Sequence, residues 1–437
     1  MHVQALRGFR DYLPKEMLAK DGMLRTVCRV FESFGYPPIQ TPALEYSSVL
    51  LGKYGEEGEL LMYRFEDNGG RDVCMRYDLT VPLARVVAEH GDLRMPFRRY
   101  QIAPVWRAEK PGKGRYREFL QCDVDLVGVN SAAADAEMIL VACSVLRALG
   151  VERFQLRLNH RGTLRGLTET LDLHGADEAD FLRLLDKLDK IGEEKLAAAF
   201  AERFAFDERR QQLVREFCTA GQGARETLAL LRGLVGSVPA ASEGLDRLVA
   251  VLDLVEGAGE GHHVIVDPTI ARGLSYYTGC IYETRLLDLT EYGSVMSGGR
   301  YDELVGVFAQ RELPAVGVSL GVDRLFSALQ ELGMVGACET PAQVMLVHFS
   351  ETLVDSLRVA ARLRECGISV LLYPEAAKVK KQFQYAGSAG IPFTAVIGAT
   401  EAARGTLNLK DMASGEQSEL TLDQVVARLR AAVKASP

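Results

Sequence analysis

The chain has 437 residues, 48% apolar and 25% charged, an ordinary globular composition with room for two to four domains and for cores that need no disulfide or metal. Its 51 Lys and Arg against 59 Asp and Glu leave a net charge of −8, which excludes a general nucleic-acid packaging protein but not a local basic site. Eight cysteines stand singly with no C-x-x-C pair, so zinc ribbons and thioredoxin chemistry are excluded and a cytoplasmic, reduced setting is expected.

The N-terminus lacks an apolar core of signal-peptide length, and no uncharged run is long enough to span a bilayer, so no membrane partner is expected. Residues 16–35 have helical apolar spacing that stops at Gly35, and Tyr36-Pro-Pro-Ile-Gln-Thr-Pro42 is extended because each proline pushes its predecessor out of the helical region. Residues 62–67 and 72–76 flank Asn68-Gly-Gly70 as a hairpin, and strands are predicted at 97–105, 119–126 and 154–158, with a helix at 132–149. Hairpin-linked strands with few alternating helices predict an antiparallel sheet. Residues 162–258 read as a helical insertion, with apolar helical runs at 181–190 and 228–254, before strands resume at 263–267 and 281–284.

A linker with Gly333, Gly336 and Pro341 ends a first domain at about 335, and strand and helix then alternate over 341–437 as a small α/β domain. This tail has 11 basic and 9 acidic side chains, so it is +2 where the body is −10. Strands fall at 344–349, 368–373, 393–397 and 406–410, and helices at 352–366, 378–389 and from 422.

The densest basic stretch runs from Arg94 to Arg117, with eight cations against Glu109 alone. A charge run is ordinarily a solvated face. Here strand-like sequence brackets a Lys-Pro-Gly-Lys-Gly turn, so Arg107 and Arg115 project from two sides of a hairpin and call for an anion, a triphosphate or a nucleic-acid backbone. Ala271-Arg-Gly-Leu-Ser-Tyr-Tyr-Thr-Gly279 pairs an arginine with two tyrosines, of which only one can face a given pocket if the segment is a strand. Ser297-Gly-Gly-Arg-Tyr-Asp302 suggests close backbone approach to a ligand, and the Gly317–Gly321 stretch leads into an apolar helix whose first turn carries Arg324. Neither glycine group is a P-loop. Arg107, Arg272 and Arg324, set among apolar sequence, are costly unless each meets an anion, and with Arg115 they fit an ATP site built from arginines.

These residues resemble the class II histidyl-tRNA synthetases over essentially the whole chain. Gly35–Glu45 resembles motif 1; Val105-Trp-Arg-Ala-Glu109 with Gly114-Arg-Tyr-Arg-Glu-Phe119 resembles motif 2; and Gly317–Arg324 resembles motif 3. Gln121–Gly128 and Arg272–Tyr277 resemble the histidine branch, and Arg76–Thr80 and Gln382–Gly387 resemble its eukaryotic and archaeal-like version. The resemblance implies an α+β fold: an antiparallel sheet with flanking helices and a helical insertion, followed by an anticodon-binding α/β domain. It implies activation of L-histidine by ATP with Mg²⁺, transfer to histidine tRNA, and a homodimer joined through motif 1. It implies no tightly bound cofactor, and no residue cluster reads as a dedicated metal site.

By the same resemblance, Arg107 and Arg272 are the catalytic cations, Arg107 and Arg272 both lying at the α-phosphate. Glu109 and Phe119 hold the adenine, and Arg115 and Arg324 grip the outer phosphates. Asp78, Thr80 and Gln121 hold the ammonium and carboxylate of histidine, Asp125 and Tyr277 take its imidazole nitrogens, and Tyr276 and Arg272 complete the histidine pocket. In the tail, Lys378, Lys380, Lys381 and Gln382 are expected to meet tRNA, with Gln384 and Tyr385 just behind. Ser275 stands where the family usually has Asp, which puts the orientation of Arg272 in question. The alternative is a non-catalytic paralogue, the regulatory subunit of ATP phosphoribosyltransferase, which usually lacks the tail and several of these arginines.

Overall fold

The computed structural model describes residues 3–219, 223–271, 276–309, 311–335, 339–375 and 377–435. The chain divides into two compact units, Met1–Asp11 with Met23–Met334, and Tyr12–Gly22 with Val335–Pro437. The helix Pro14–Ser33 contributes to both.

In the first unit, three short strands, β1 (Leu44–Tyr46), β2 (Arg64–Glu66) and β3 (Asp72–Met75), form an antiparallel sheet in the order β1-β3-β2. The predicted hairpin is its β2–β3 half, with Phe65 opposite Val73. The main sheet uses β4 (Phe97–Trp106), β5 (Glu118–Val127), β6 (Phe154–His160), β7 (Val264–Val266), β8 (Cys280–Leu286), β9 (Ser294–Arg300) and β10 (Ala315–Gly321). Their order is β4-β5-β10-β9-β8-β6-β7, antiparallel throughout except for the β6–β7 pair. The antiparallel reading of the sequence stands.

The helix Ala132–Ala148, capped by the Ser131 hydroxyl accepting from the Ala134 N–H at 3.2 Å, packs on this sheet through Met138, Ile139, Val141, Val145 and Leu146. Its buried Asp135 meets Arg300 of β9 at 2.9 Å and Arg247 of the helix Pro239–Gly257 at 2.7 Å. One carboxylate thus ties the sheet, its covering helix and the insertion together. Among the described residues, seven α-helices lie between β6 and β7, from Arg161 to Gly257. The apolar helical run at 228–254 falls on two helices, Ala224–Val235 and Pro239–Gly257, because Pro239 has no N–H to continue the first and is well placed at the first turn of the second.

Ser297–Arg300 lies on a strand in the middle of the sheet, where its glycines also admit neighbouring protein. A Cβ on Gly298 would lie 2.2 Å from the Gly317 carbonyl oxygen of β10, and one on Gly299 would lie 2.9 Å from the Tyr277 ring.

The second unit holds β11 (Val344–His348), β12 (Val370–Leu372), β13 (Phe393–Ile397), β14 (Thr406–Asp411) and β15 (Gln417–Thr421), ordered β12-β11-β13-β14-β15. The first three strands are parallel, and the last two add antiparallel. β11 is buried along its whole length, Val344 and Leu346 facing one core and Met345 and Val347 the other. That is the pattern of a strand covered by helices on both faces. β15 was not expected, because Gln417-Ser-Glu-Leu-Thr421 is an exposed edge strand with almost no apolar signal.

Candidate active site

A cavity of about 390 Å³ opens over β5, β8, β9 and β10. It is lined by Asp78, Thr80, Arg107, Glu109, Arg115, Phe119, Gln121, Tyr276, Tyr277 and Arg324, residues that span more than half of the chain. Arg272 and Ser275 lie outside the described residues. Lys378, Lys380, Lys381 and Gln382 belong to the other unit.

Arg107 follows the last residue of β4. Its N–H bonds to the Arg117 carbonyl at 2.8 Å and closes the base of the turn that links β4 and β5. Its Nε donates to the Tyr77 carbonyl at 3.1 Å, and its guanidinium lies 4.4 Å from the Tyr77 ring centre and 5.3 Å from that of Phe119. Among the described residues no carboxylate pairs with it, so an aromatic cradle holds the cation and leaves it available to an anion. Phe119 packs on Leu79, Ala103 and Val105, with its ring forming part of the wall.

At the turn, Gly112 and Arg115 exchange backbone hydrogen bonds of 3.1 and 3.0 Å, and Gly114 has φ +65°. Arg115 approaches Glu109 at 4.0 Å, and Lys113 pairs with Glu331 at 2.8 Å. Arg324 lies in the first turn of the helix Val322–Glu331 and donates through Nη1 to the Ser294 carbonyl of β9. The neighbouring Asp323 accepts from the Leu120 N–H at 2.6 Å, which docks this helix onto β5.

Asp78 is buried and caps the helix Thr80–Glu89. Its Oδ1 accepts from the Thr80 and Val81 N–H groups at 3.2 and 3.1 Å and from the Tyr54 hydroxyl at 2.9 Å, and its Oδ2 accepts from the Tyr276 hydroxyl at 3.2 Å. Burial raises its pKa despite these donors. Tyr276 and Tyr277 meet edge to face, 5.2 Å between centres. The Tyr276 hydroxyl serves Asp78, while the Tyr277 ring rests on Gly299. Burial, then the Asp123 and Asp125 carboxylates, push the Tyr277 phenol up, so it stays a neutral hydroxyl.

Gln121, Asp123 and Asp125 alternate along β5 and share one face. Gln121 donates to the Ser319 hydroxyl at 2.9 Å, while its buried Oε1 has no protein donor. Asp125, expected to contact a ligand, does not line the cavity. It sits one layer behind, paired with the fully buried Arg99 at 2.7 Å and accepting from the Tyr301 hydroxyl at 2.5 Å. The structure thus does not place Asp125 on the cavity wall with the other expected histidine residues. Arg99, Asp123 and Tyr301 were not singled out in the sequence. The alternation of Gln121, Asp123 and Asp125 was the one signal available, and it could have grouped Asp123 with its neighbours.

Tyr276 and Tyr277 also border a larger cavity of about 920 Å³ on the side of the insertion, lined among others by His160, Arg161, Arg247 and Asp302. The motif residues on β5 and β10 face the smaller cavity. Among the described residues, no group of three or more His, Cys, Asp or Glu could hold a metal ion.

In the second unit, Lys378, Lys380 and Lys381 are exposed at the start of the helix Val379–Ser388, with Lys381 paired to Glu375 at 2.6 Å. Gln382 is corrected. It is fully buried, accepting from the His348 N–H at 3.2 Å and donating to the His348 and Ala377 carbonyls, each at 2.9 Å. With its amide spent on backbone, it is a structural clamp; Gln384 and Tyr385 are the exposed polar groups beside the lysines.

An antiparallel sheet bearing an arginine-lined cavity, three motifs along it and a separate α/β unit define the class II aminoacyl-tRNA synthetases. A family model described as "Histidyl-tRNA synthetase" matches residues 8–325, and one described as "Anticodon binding domain" matches residues 343–432. The chain is similar to the histidine--tRNA ligases of Rhodopirellula baltica, 43% identical, and Wolinella succinogenes, 44% identical, each over 95% of both chains. Its fold matches the crystal structure of histidyl-tRNA synthetase from Nostoc sp. PCC 7120 with a TM-score of 0.89 and 34% identity, over 99% of this chain and 100% of that one. The chain belongs to the histidyl-tRNA synthetase family.

Proposed function

We propose that the chain is an ATP-dependent histidine–tRNA ligase. Arg107, Arg115, Arg324 and the Tyr276–Tyr277 pair share one cavity, and this observation carries the reading. The arginines suit a polyphosphate, and the tyrosine end suits a small polar side chain. ATP enters with Mg²⁺ on its phosphates.

In this reading Phe119 stacks on the adenine, Glu109 accepts from its amino group, Arg107 lies at the α-phosphate, and Arg115 and Arg324 hold the outer phosphates. Arg272 joins Arg107 at the reacting phosphate. Asp78 and Thr80 hold the histidine ammonium, Gln121 binds its carboxylate end, and Tyr276 supports Asp78. The Tyr277 hydroxyl meets the imidazole, backed by the charge of Asp125. The histidine carboxylate attacks the α-phosphorus, the bond to the bridging oxygen breaks, and pyrophosphate leaves with the electron pair. The enzyme positions these groups and offsets the developing charge. A ribose hydroxyl at the tRNA 3′ end then attacks the acyl carbon, and AMP departs.

The second unit supplies the tRNA contact through Lys378, Lys380 and Lys381 on phosphates and Gln384 and Tyr385 on unstacked bases. The enzyme works in the cytoplasm as a homodimer. The ATP phosphoribosyltransferase reading is less supported, since the curated relatives at 43% and 44% identity over 95% of both chains are histidine--tRNA ligases. ATP–pyrophosphate exchange with each of the twenty amino acids tests the assignment. Histidine alone should stimulate it; exchange with another amino acid, or with none, overturns it.

A further inference from the structure

Behind Tyr277 and Gln121, the floor of the cavity carries more carboxylates than cations. On β5, Asp123 lies opposite Gln101 of β4 and Ser319 of β10, and Asp125 lies opposite Arg99 of β4. Arg99 spends one nitrogen on Asp125 and the Leu79 carbonyl; its Nε and Nη1 have no hydrogen-bond partner. Asp123 is only 2% exposed, and among the described residues only the Ser319 hydroxyl lies near enough to favour its charged form as a donor, short of good hydrogen-bond geometry. The groups whose charge reaches Asp123 are Arg99 from β4, Asp125 and Cys122 on its own strand, Tyr277, and Asp78 ahead of the helix Thr80–Glu89. Of these, Cys122 and Tyr277 are pushed up by burial and stay neutral, and Asp78 already accepts four hydrogen bonds. Among the described residues, the floor therefore has two buried carboxylates for one buried arginine.

We propose that Asp123 is a specificity-determining residue acting at one remove, whose charge makes the pocket take the histidine side chain as the imidazolium cation. The inference rests on the histidine reading of the cavity. A neutral ring above this floor would leave a buried carboxylate uncompensated, which is costly unless the carboxylate takes up a proton. A cationic ring balances it. Desolvation pushes the Asp123 carboxyl well above the ordinary carboxylate range, toward the range in which imidazole titrates, about 6.5. The complex therefore carries one proton shared between the ring and the floor. When solution pH rises above both values, that proton must be taken from solvent on binding, and affinity falls by up to about tenfold per pH unit.

The test is the KM for histidine in ATP–pyrophosphate exchange between about pH 7 and about pH 8.5, for the parent and for Asp123→Asn, with 1,2,4-triazol-3-ylalanine as a substrate whose ring stays neutral. In the parent the histidine KM should rise about tenfold or more across this window, and at about pH 7 histidine should be preferred to the analogue about tenfold or more. In Asp123→Asn the rise should shrink below about twofold and the preference should collapse, while kcat stays within about threefold of the parent. The α-amino group titrates equally with parent and variant and cancels. Parallel profiles for parent and variant overturn the proposal. If the variant does not fold, the parent alone decides: a histidine KM that rises with pH together with a preference for histidine over the analogue supports the proposal, and a flat histidine KM or equal KM values for the two compounds overturn it. Absence of exchange with either compound at any pH overturns the underlying assignment of the cavity as well.

Discussion

Tyr277 offers the sharpest residue-level test, because it lines the cavity while its ring is wedged against Gly299. Tyr277→Phe keeps the ring and removes only the polar tip. The KM for histidine should rise by a factor equivalent to about 1–3 kcal/mol, roughly five- to 150-fold, with the unfolding midpoint unchanged. A KM within twofold of the parent in exchange assays would mean that the hydroxyl does not meet substrate. Arg99→Met is expected to act on stability first. It leaves Asp125 buried with only Tyr301 for support, and removing one partner of a buried pair costs about 3–5 kcal/mol. Urea denaturation measures this, and a loss below about 1 kcal/mol would show that Asp125 accepts a proton instead. At this scale the sequence was legible where a side chain lines the cavity within a motif, as Arg107, Phe119, Gln121 and Arg324 do. It was not legible for Gln382. A helix start rich in lysine points outward by composition, yet the one buried position among exposed neighbours is set by β11, more than thirty residues away.

The glycines of β9 carry the argument at the level of the element. A β-carbon at Gly299 would sit 2.7 Å from the Cys280 carbonyl and 2.9 Å from the Tyr277 ring, so either the sheet or the tyrosine must move. Gly299→Ala should cost about 1–3 kcal/mol of stability and raise the KM for histidine together with it. Thermal unfolding and exchange on the same preparation check this, and an unchanged KM in a destabilised protein would detach Tyr277 from the site. Gln382→Leu makes the opposite separation. It orphans the His348 N–H and two carbonyls in the second unit, at about 1–3 kcal/mol for each unmet group, and should leave histidine-dependent exchange intact. Loss of exchange in soluble Gln382→Leu protein would contradict that. The strands and helices with strong apolar period were readable in advance, from the helix Ala132–Ala148 to β13. The strand at Ser297–Arg300 was not, because paired glycines carry no strand signal until the neighbouring strands that need their small volume are known. β15 escaped for the reverse reason: its pairing with β14 is a backbone matter, and its side chains carry no apolar alternation.

For the whole molecule, the face of the small three-stranded sheet leaves Leu44, Tyr46 and Phe65 between 43% and 55% exposed. Large apolar side chains grouped on one exposed sheet suit a self-complementary two-fold contact. Sedimentation should give a dimer, and a stable monomer at micromolar concentration would contradict it. The family was legible because the motifs are local. The charge of the pocket floor was not, since it arises only when β4, β5 and β10 bring Arg99, Asp123 and Asp125 into register. The central claim is that one cavity joins histidine, ATP and the tRNA end. Charging of bulk tRNA tests it most directly, with ATP, Mg²⁺ and each of the twenty labelled amino acids in turn. Label from histidine alone should enter acid-precipitable tRNA and be released by mild base; label from any other amino acid, or none from histidine, would contradict the account.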